Sequence, residues 1–266
     1  MHRHRILATC LVLACGALGA AASRTIWLPT DWTLTPPSGD VSTTGTMPQG
    51  LALSPDDTKI AVVESGVNPP ALRILDTRDL HTLRVVALKD AFGTPVWAGN
   101  DRVLVPGATT DAVETVNAAD GDVQSTHAAS YVSAVARASN GAIYAVSDLR
   151  NVFVRVGTPM TTVPTGSHPA AIAIASRSFY VANRGEASVT HIAGETTSQT
   201  IAVDLHPAAL ALSNDGSKLY VACSDADVID VIDTSNDRVI ARIDVGLPQG
   251  RGASPNALAV APDGTL

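Results

Sequence analysis

Between Pro207 and Gly246 the chain reads PAALALSNDGSKLYVACSDADVIDVIDTSNDRVIARIDVG, and this stretch limits what the whole can become. It holds four short runs of β-branched and apolar residues. Asn214-Asp215-Gly216, Ser224-Asp225-Ala226-Asp227 and Thr234-Ser235-Asn236-Asp237 separate them. Runs of this length broken by such turn residues predict a four-stranded antiparallel meander. The unit recurs from Pro48, Pro95, Tyr131, Pro169, Pro207 and Pro255, at spacings of 47, 36, 38, 38 and 48 residues. A period near 40 with four strands per unit is the pattern of propeller blades. A lone four-stranded sheet cannot bury both faces, whereas radial packing covers them and protects the strand edges. A β-sandwich also uses short strands, but it does not repeat a prolyl start, an Asp-Gly turn and an aromatic–valine strand at one interval. The expected fold is all-β: a β-propeller of four-stranded antiparallel blades over 48–266, five blades and the start of a sixth.

The other units are read the same way. Leu51-Ala52-Leu53, Ile60 to Val63, Ala71 to Leu75 and Leu83 to Leu88 form the first. The second is degenerate: Pro95-Val96-Trp97, Val103 to Val105, Ala112 to Val116 and Val123 to Thr126. The third carries Ala134 to Ala136, Ile143 to Val146 and Val152 to Val156, and the fourth opens PAAIAIASRSFYVANRGEASVTHI at Pro169. The sixth, PNALAVAPDGTL, supplies one strand only. Asp56, Asp215 and Asp263 sit in turns where an aspartate bonds nearby backbone amides.

Only 16% of the residues are charged and 4% aromatic, which suits short strands and turns rather than long charged helices. The net charge of −7 gives no electrostatic footprint for nucleic acid. His2 to Arg5 precede an apolar run from Ile6 to Ala14, and Ala20-Ala21-Ala22 fits a small-residue cleavage site before Ser23. Residues 1–22 therefore read as a signal peptide, too short to span a bilayer, and the mature protein as periplasmic or secreted with no transmembrane span. Val12-Leu13-Ala14-Cys15 is the rival reading, a lipoprotein box that would anchor the chain at Cys15. After soluble cleavage Cys223 is the single remaining cysteine, so no internal disulfide is expected. Residues 23–47 form a Pro-containing entry segment with two candidate strands, Thr25–Leu28 and Trp32–Leu34.

Phe179-Tyr180-Val181-Ala182-Asn183 and Leu219-Tyr220-Val221-Ala222-Cys223 resemble the Tyr-Val-Thr-Asn strand of the YVTN-type β-propeller repeat family. Gly166-Ser167-His168-Pro169 fits that family's Gly-x-x-Pro blade entry, and Val231-Ile232-Asp233-Thr234 its later strand. The likeness covers 48–266, is strongest from Pro169 on, and departs in the second and third units. It implies seven blades, as in most relatives. No Trp-Asp dipeptide marks the WD40 branch. A narrower likeness, in Leu28-Pro29-Thr30, Met47-Pro48-Gln49-Gly50 and Ala253-Ser254-Pro255-Asn256-Ala257-Leu258, is to exported proteins that join such a propeller to a phosphoesterase domain. That domain's catalytic residues would lie beyond Leu266, so none transfers.

In a four-stranded blade, the loop into the first strand and the loop joining strands two and three share one end. His168 and His206 fall there at equivalent points of adjacent blades, and Asn183, Arg184, Cys223 and Asn256 join them. Three readings stay open: a pocket for a small polar ligand, a metal held by two imidazoles and a thiolate, or a histidine that the repeat merely tolerates before proline. Asp225-Ala226-Asp227 with Asp230 lacks the Gly and the terminal Glu of a calcium loop. No nucleophile elbow, His-Glu-x-x-His, phosphate loop or haem motif occurs, and no metal or cofactor is expected. The leading function is an exported binding or interaction module without a catalytic motif, its partner a protein or a small polar ligand. The alternative is the propeller part of an exported hydrolase, phosphoesterase-linked or lactonase-like. Five blades and one strand do not close a ring, so the chain is expected to be part of a longer one, or to self-associate through exposed sheet faces.

Overall fold

Turn chemistry and alternation build the same sheet repeatedly along this chain. The computed structural model describes residues 42–176, 178–248 and 252–266, together with the short strands at 26–27 and 33–34. Contacts divide it into two units, Met1–Val41 and Ser42–Leu266. In the first, β1 (Ile26–Trp27) pairs antiparallel with β2 (Thr33–Leu34). The expected signal peptide, with Cys15, lies outside the described residues.

The second unit is five four-stranded antiparallel meanders in chain order, and no described residue is helical. Blade one is β3 (Pro48–Leu53), β4 (Lys59–Glu64), β5 (Ala71–Asp76) and β6 (Thr82–Ala87). Blade two is β7 (Val96–Trp97), β8 (Arg102–Pro106), β9 (Ala112–Asn117) and β10 (Val123–His127). Blade three is β11 (Val132–Arg137), β12 (Ile143–Ser147), β13 (Val152–Val156) and β14 (Thr161–Pro164). Blade four is β15 (Pro169–Ala175), β16 (Ser178–Asn183), β17 (Ser188–Ala193) and β18 (Thr197–Ala202). Blade five is β19 (Pro207–Leu212), β20 (Lys218–Cys223), β21 (Val228–Asp233) and β22 (Arg238–Asp244). This is the all-β propeller architecture that the repeat predicts.

The hairpins close through side chains. Ser54 Oγ donates to Asp56 Oδ1 at 2.7 Å and the Thr58 amide at 3.2 Å, and Ser213 and Ser217 do the same for Asp215 at 2.6 and 3.0 Å. These bonds, the serine hydroxyl's first, hold both carboxyls down at about 2.

Register corrects two sequence readings. Trp97 lies opposite Val103 as Leu212 lies opposite Leu219, so counting back puts Phe92, not Pro95, where Pro207 enters blade five. Phe92 N donates to the Pro106 carbonyl there. Gly93, at φ +70°, makes the approach possible, because a Cβ would fall 2.7 Å from the Ser133 carbonyl oxygen. Next, Tyr144, Tyr180 and Tyr220 lie opposite Arg155, His191 and Val231, so blade three carries a tyrosine at the same register, followed by alanine rather than valine. Tyr144-Ala145 had hidden it.

Each core cluster joins two neighbouring blades. Tyr144 and Phe153 of blade three meet Phe179 of blade four with ring centroids 4.4 and 4.8 Å apart, and Ile172 and Ile174 of β15 pack on the same cluster. Burying rings of this size contributes roughly 2–3 kcal/mol each. The first strands β11, β15 and β19 touch in succession, so first strands lie innermost.

The expected strand from Pro255 is not formed: residues 252–260 are irregular. A strand needs a ladder partner to satisfy its amides, and among the described residues none pairs with it. The segment is tied down instead by Gly252 N and Ser254 N donating to the Asp227 carboxylate at 2.7 and 2.8 Å.

Candidate ligand-binding face

An antiparallel meander puts the blade-entry loop and the strand two–three loop at one end of the blade. The tight strand one–two and three–four turns fall at the other. The first may be called the loop end, the second the turn end.

At the loop end one backbone motif recurs. Met47, Tyr131, His168 and His206 each precede a first strand with φ between +52 and +60°. Each carbonyl accepts from a strand two–three loop: from Ser65 N at 3.2 Å, and from Asp148 N, Arg184 N and Ser224 N at 3.0 Å. Histidine enters the left-handed region more readily than most residues, so backbone geometry already favours it here. His168 and His206 do sit at equivalent points of adjacent blades.

Their side chains are held alike. His168 Nδ1 lies 3.2 Å from Asp148 Oδ2, and His206 Nδ1 lies 3.4 Å from Asp225 Oδ2. The aspartates come from different places: Asp148 from the preceding blade's strand two–three loop, Asp225 from the same blade's. The histidine side chains are 54% and 40% exposed, and among the described residues neither Nε2 has a hydrogen-bond partner. Gly185 leaves room for the first ring, since a Cβ there would fall 2.6 Å from His168 Cδ2.

Arg184 is half-buried beside His168, and Asn256 is exposed in the irregular 252–260 segment. Asn183 and Cys223 are different, and their assignment to the face is corrected by burial. Both side chains are fully enclosed. Asn183 Nδ2 donates to Ser188 Oγ at 2.7 Å and Thr190 Oγ1 at 2.9 Å, inside the blade. Cys223 Sγ lies 3.9 Å from Asp230, and burial, then the Asp230 and Asp204 charges, push its thiol up to about 12. That is an inert thiol, not a metal ligand. Asp230 accepts from Asp204 N at 2.7 Å and Arg242 Nε at 3.0 Å, so it too is committed to structure.

Two residues escaped the sequence reading. Tyr131 holds the blade-three place of the histidines, and its ring lies 6.2 Å from Phe92. Its phenol is raised by burial first, then by the Asp90 and Asp148 charges, against a lowering from Arg184. Its carbonyl accepts from Asp148 N at 3.0 Å, which ties it to the aspartate that holds His168. Asp148 is the other, its Oδ1 buried and without a hydrogen-bond partner. Counting the repeat from Tyr144 rather than from the missing Tyr-Val pair would have found both.

At the turn end polar side chains pair across blade boundaries, beside a cavity of about 240 Å³ lined by Tyr144, Phe179 and Glu195. Tyr144 OH donates to Glu195, from the β17–β18 turn of the next blade, with Arg155 Nε 3.7 Å from the same carboxylate. One blade on, Tyr180 OH donates to Asp237 Oδ1 at 3.0 Å and His191 Nδ1 lies 2.6 Å from Asp237 Oδ2. Tyr180 and His191 stack with ring centroids 4.7 Å apart. Burial, then the Glu195 contact, push the Tyr144 phenol up to about 12. Among the described residues, one group has metal-ligand spacing: Asp76, Asp79 and His81, in the exposed β5–β6 turn. Arg78 already takes Asp76 at 2.7 Å, and His81 Nδ1 takes Asp79 at 2.6 Å.

No protein family matches the chain by sequence, and no curated protein does. Solved structures do match by shape. A candidate 6-phosphogluconolactonase from Bacteroides uniformis superposes with TM-score 0.69 at 16% identity, covering 88% of this chain and 80% of that one. Virginiamycin B lyase from Staphylococcus aureus gives 0.66 at 15% identity, covering 77% and 72%. A catalytically inactive variant of that lyase, with one histidine replaced by alanine, is solved with quinupristin and gives 0.66 at 14% identity, covering 82% and 74%. At such identities the likeness establishes the β-propeller fold and nothing finer.

Proposed function

We propose that this chain is an exported β-propeller binding module of the YVTN-repeat kind, and that it takes a small polar ligand on its loop end. One observation carries the reading. Two successive blade entries present an imidazole whose Nδ1 is occupied by an aspartate and whose Nε2 is left for something else. An aspartate on Nδ1 fixes tautomer and ring direction, which is how proteins prepare a histidine for a ligand. At the turn end His191 also gives Nδ1 to an aspartate, but its side chain is only 17% exposed and its Nε2 is buried. Export rests on the basic, apolar and small-residue segments before Ser23. The test is a small-molecule screen read by histidine side-chain NMR. Compounds that shift His168 and His206 together, and lose affinity in a His168→Ala, His206→Ala double variant, support the reading. Unchanged affinity in that variant overturns it.

A second reading follows from the same dyads. An aspartate-supported imidazole is a general base, and propeller neighbours include a lyase and a lactonase-type protein. Turnover of lactones or cyclic esters that disappears in His168→Ala would favour an enzyme over a binding module.

A further inference from the structure

The loop end between blades three and four holds charges of both signs that do not neutralise each other. The Arg184 guanidinium makes no hydrogen bond or ion pair among the described residues, although the chain has more acidic than basic residues. Asp148 is only 14% exposed, spends Oδ2 on His168, and keeps Oδ1 buried and bare. Backbone bonds fix their spacing: Asp148 N to the Tyr131 carbonyl and Arg184 N to the His168 carbonyl, both 3.0 Å. His168 is common to both, its Nδ1 3.2 Å from the Asp148 carboxylate and its carbonyl bonded to Arg184 N.

The physics selects a ligand class. A buried carboxylate oxygen without a donor is costly, and a ligand N–H removes that cost. A free guanidinium is matched by a carboxylate or phosphate. A plain anion would meet Arg184 but also the fields of Asp148 and Asp90. A plain amine would meet Asp148 but also Arg184. A molecule carrying both charges gains at each end and is repelled at neither.

We infer that this patch binds a small zwitterion, its anionic group on Arg184 and its protonated amine on Asp148, flanked by Tyr131 and His168. The inference rests on the binding-module reading and names its ligand class.

The test uses the chain from Ser23 to Leu266 with glycine, β-alanine and γ-aminobutyrate as rulers of increasing length. Acetate and ethylammonium are the single-charge controls. Calorimetric titration should show at least one ruler binding about tenfold or more tighter than both controls. Arg184→Gln and Asp148→Asn should each remove most of that advantage. His191→Gln, at the turn end, should leave it in place, and circular dichroism should show every variant folded. Equal binding of a control, no binding of any ruler, or indifference to Arg184→Gln overturns the inference. The two levels fail separately. If the rulers fail while another polar compound shifts His168 and His206, only the zwitterion falls. If no compound shifts either histidine, the binding module falls with it.

Discussion

At the turn end of blades three to five, tyrosine, carboxylate and base close on one another across a blade boundary. At the loop end aspartate and histidine pair, but the Tyr131 hydroxyl and the Arg184 guanidinium join no such network among the described residues. Tyr144 with Glu195 and Arg155, and Tyr180 with Asp237 and His191, pair hydroxyl, carboxylate and base, with the buried His191 Nε2 left over. Tyr131, Asp148, His168 and Arg184 leave a bare oxygen, an unpaired guanidinium and a free Nε2. One repeat therefore places equivalent chemistry at two ends for two purposes. Paired groups hold blade to blade, and the exposed His168 ring and half-buried Arg184 are left for a ligand. A folded protein keeps costly unmatched polar groups where function offsets them.

The comparison breaks most visibly at Tyr180. Tyr180→Ala removes a buried ring stacked on His191 and should cost about 3–5 kcal/mol in denaturant unfolding. A loss near zero would mean the turn end does not hold blades four and five together. Tyr180→Phe keeps the ring and deletes the bond to Asp237, so it should cost about 1–2 kcal/mol. The ratio of the two separates packing from polar closure.

Acid gives a smaller and graded effect. Asp56 and Asp215 sit at about 2 in the folded chain, below their ordinary value near 3.8. A depressed folded value means stabilisation that is complete above the unfolded value and is lost as pH falls from about 4 towards about 2. Asp56→Asn with Asp215→Asn should flatten that part of the stability–pH curve. An unchanged slope would show that these hairpin carboxylates contribute nothing measurable.

Smallest in stability, and most telling, are the loop-end changes. Arg184→Gln should move the unfolding free energy by no more than about 0.5 kcal/mol, and His168→Ala by about 1 kcal/mol because alanine is strained at φ +52°, while both abolish ligand response. Gly185→Ala should act similarly, since its methyl would collide with the His168 ring. A large loss of stability in Arg184→Gln would make the loop end structural after all.

Much of the architecture was legible because it is periodic. Alternating apolar runs and Asn-Asp-Gly turns require only local chemistry, so four strands per unit could be counted. The four strands of blade two were legible, but its entry was set at Pro95 because Phe92-Gly93-Thr94-Pro95 offers a proline three residues late in register. Blade three hid its tyrosine because alanine follows it. The strand from Pro255 failed to form because strand status depends on a partner, not on the run itself.

The sequence by itself determined the repeat, the fold class and the equivalence of His168 and His206, since each follows from spacing along one chain. Tertiary structure alone decided which side chains face out. Asn183 and Cys223 pair with Pro169 and Pro207, next to the two histidines, yet strand pairing turns them into the blade interior, where burial makes one a hydrogen-bond strut and the other an inert thiol. Asp148 and Arg184 meet His168 from loops 20 and 16 residues away, in two different blades. Contacts between separate loops depend on how blades stack, and no local pattern encodes that.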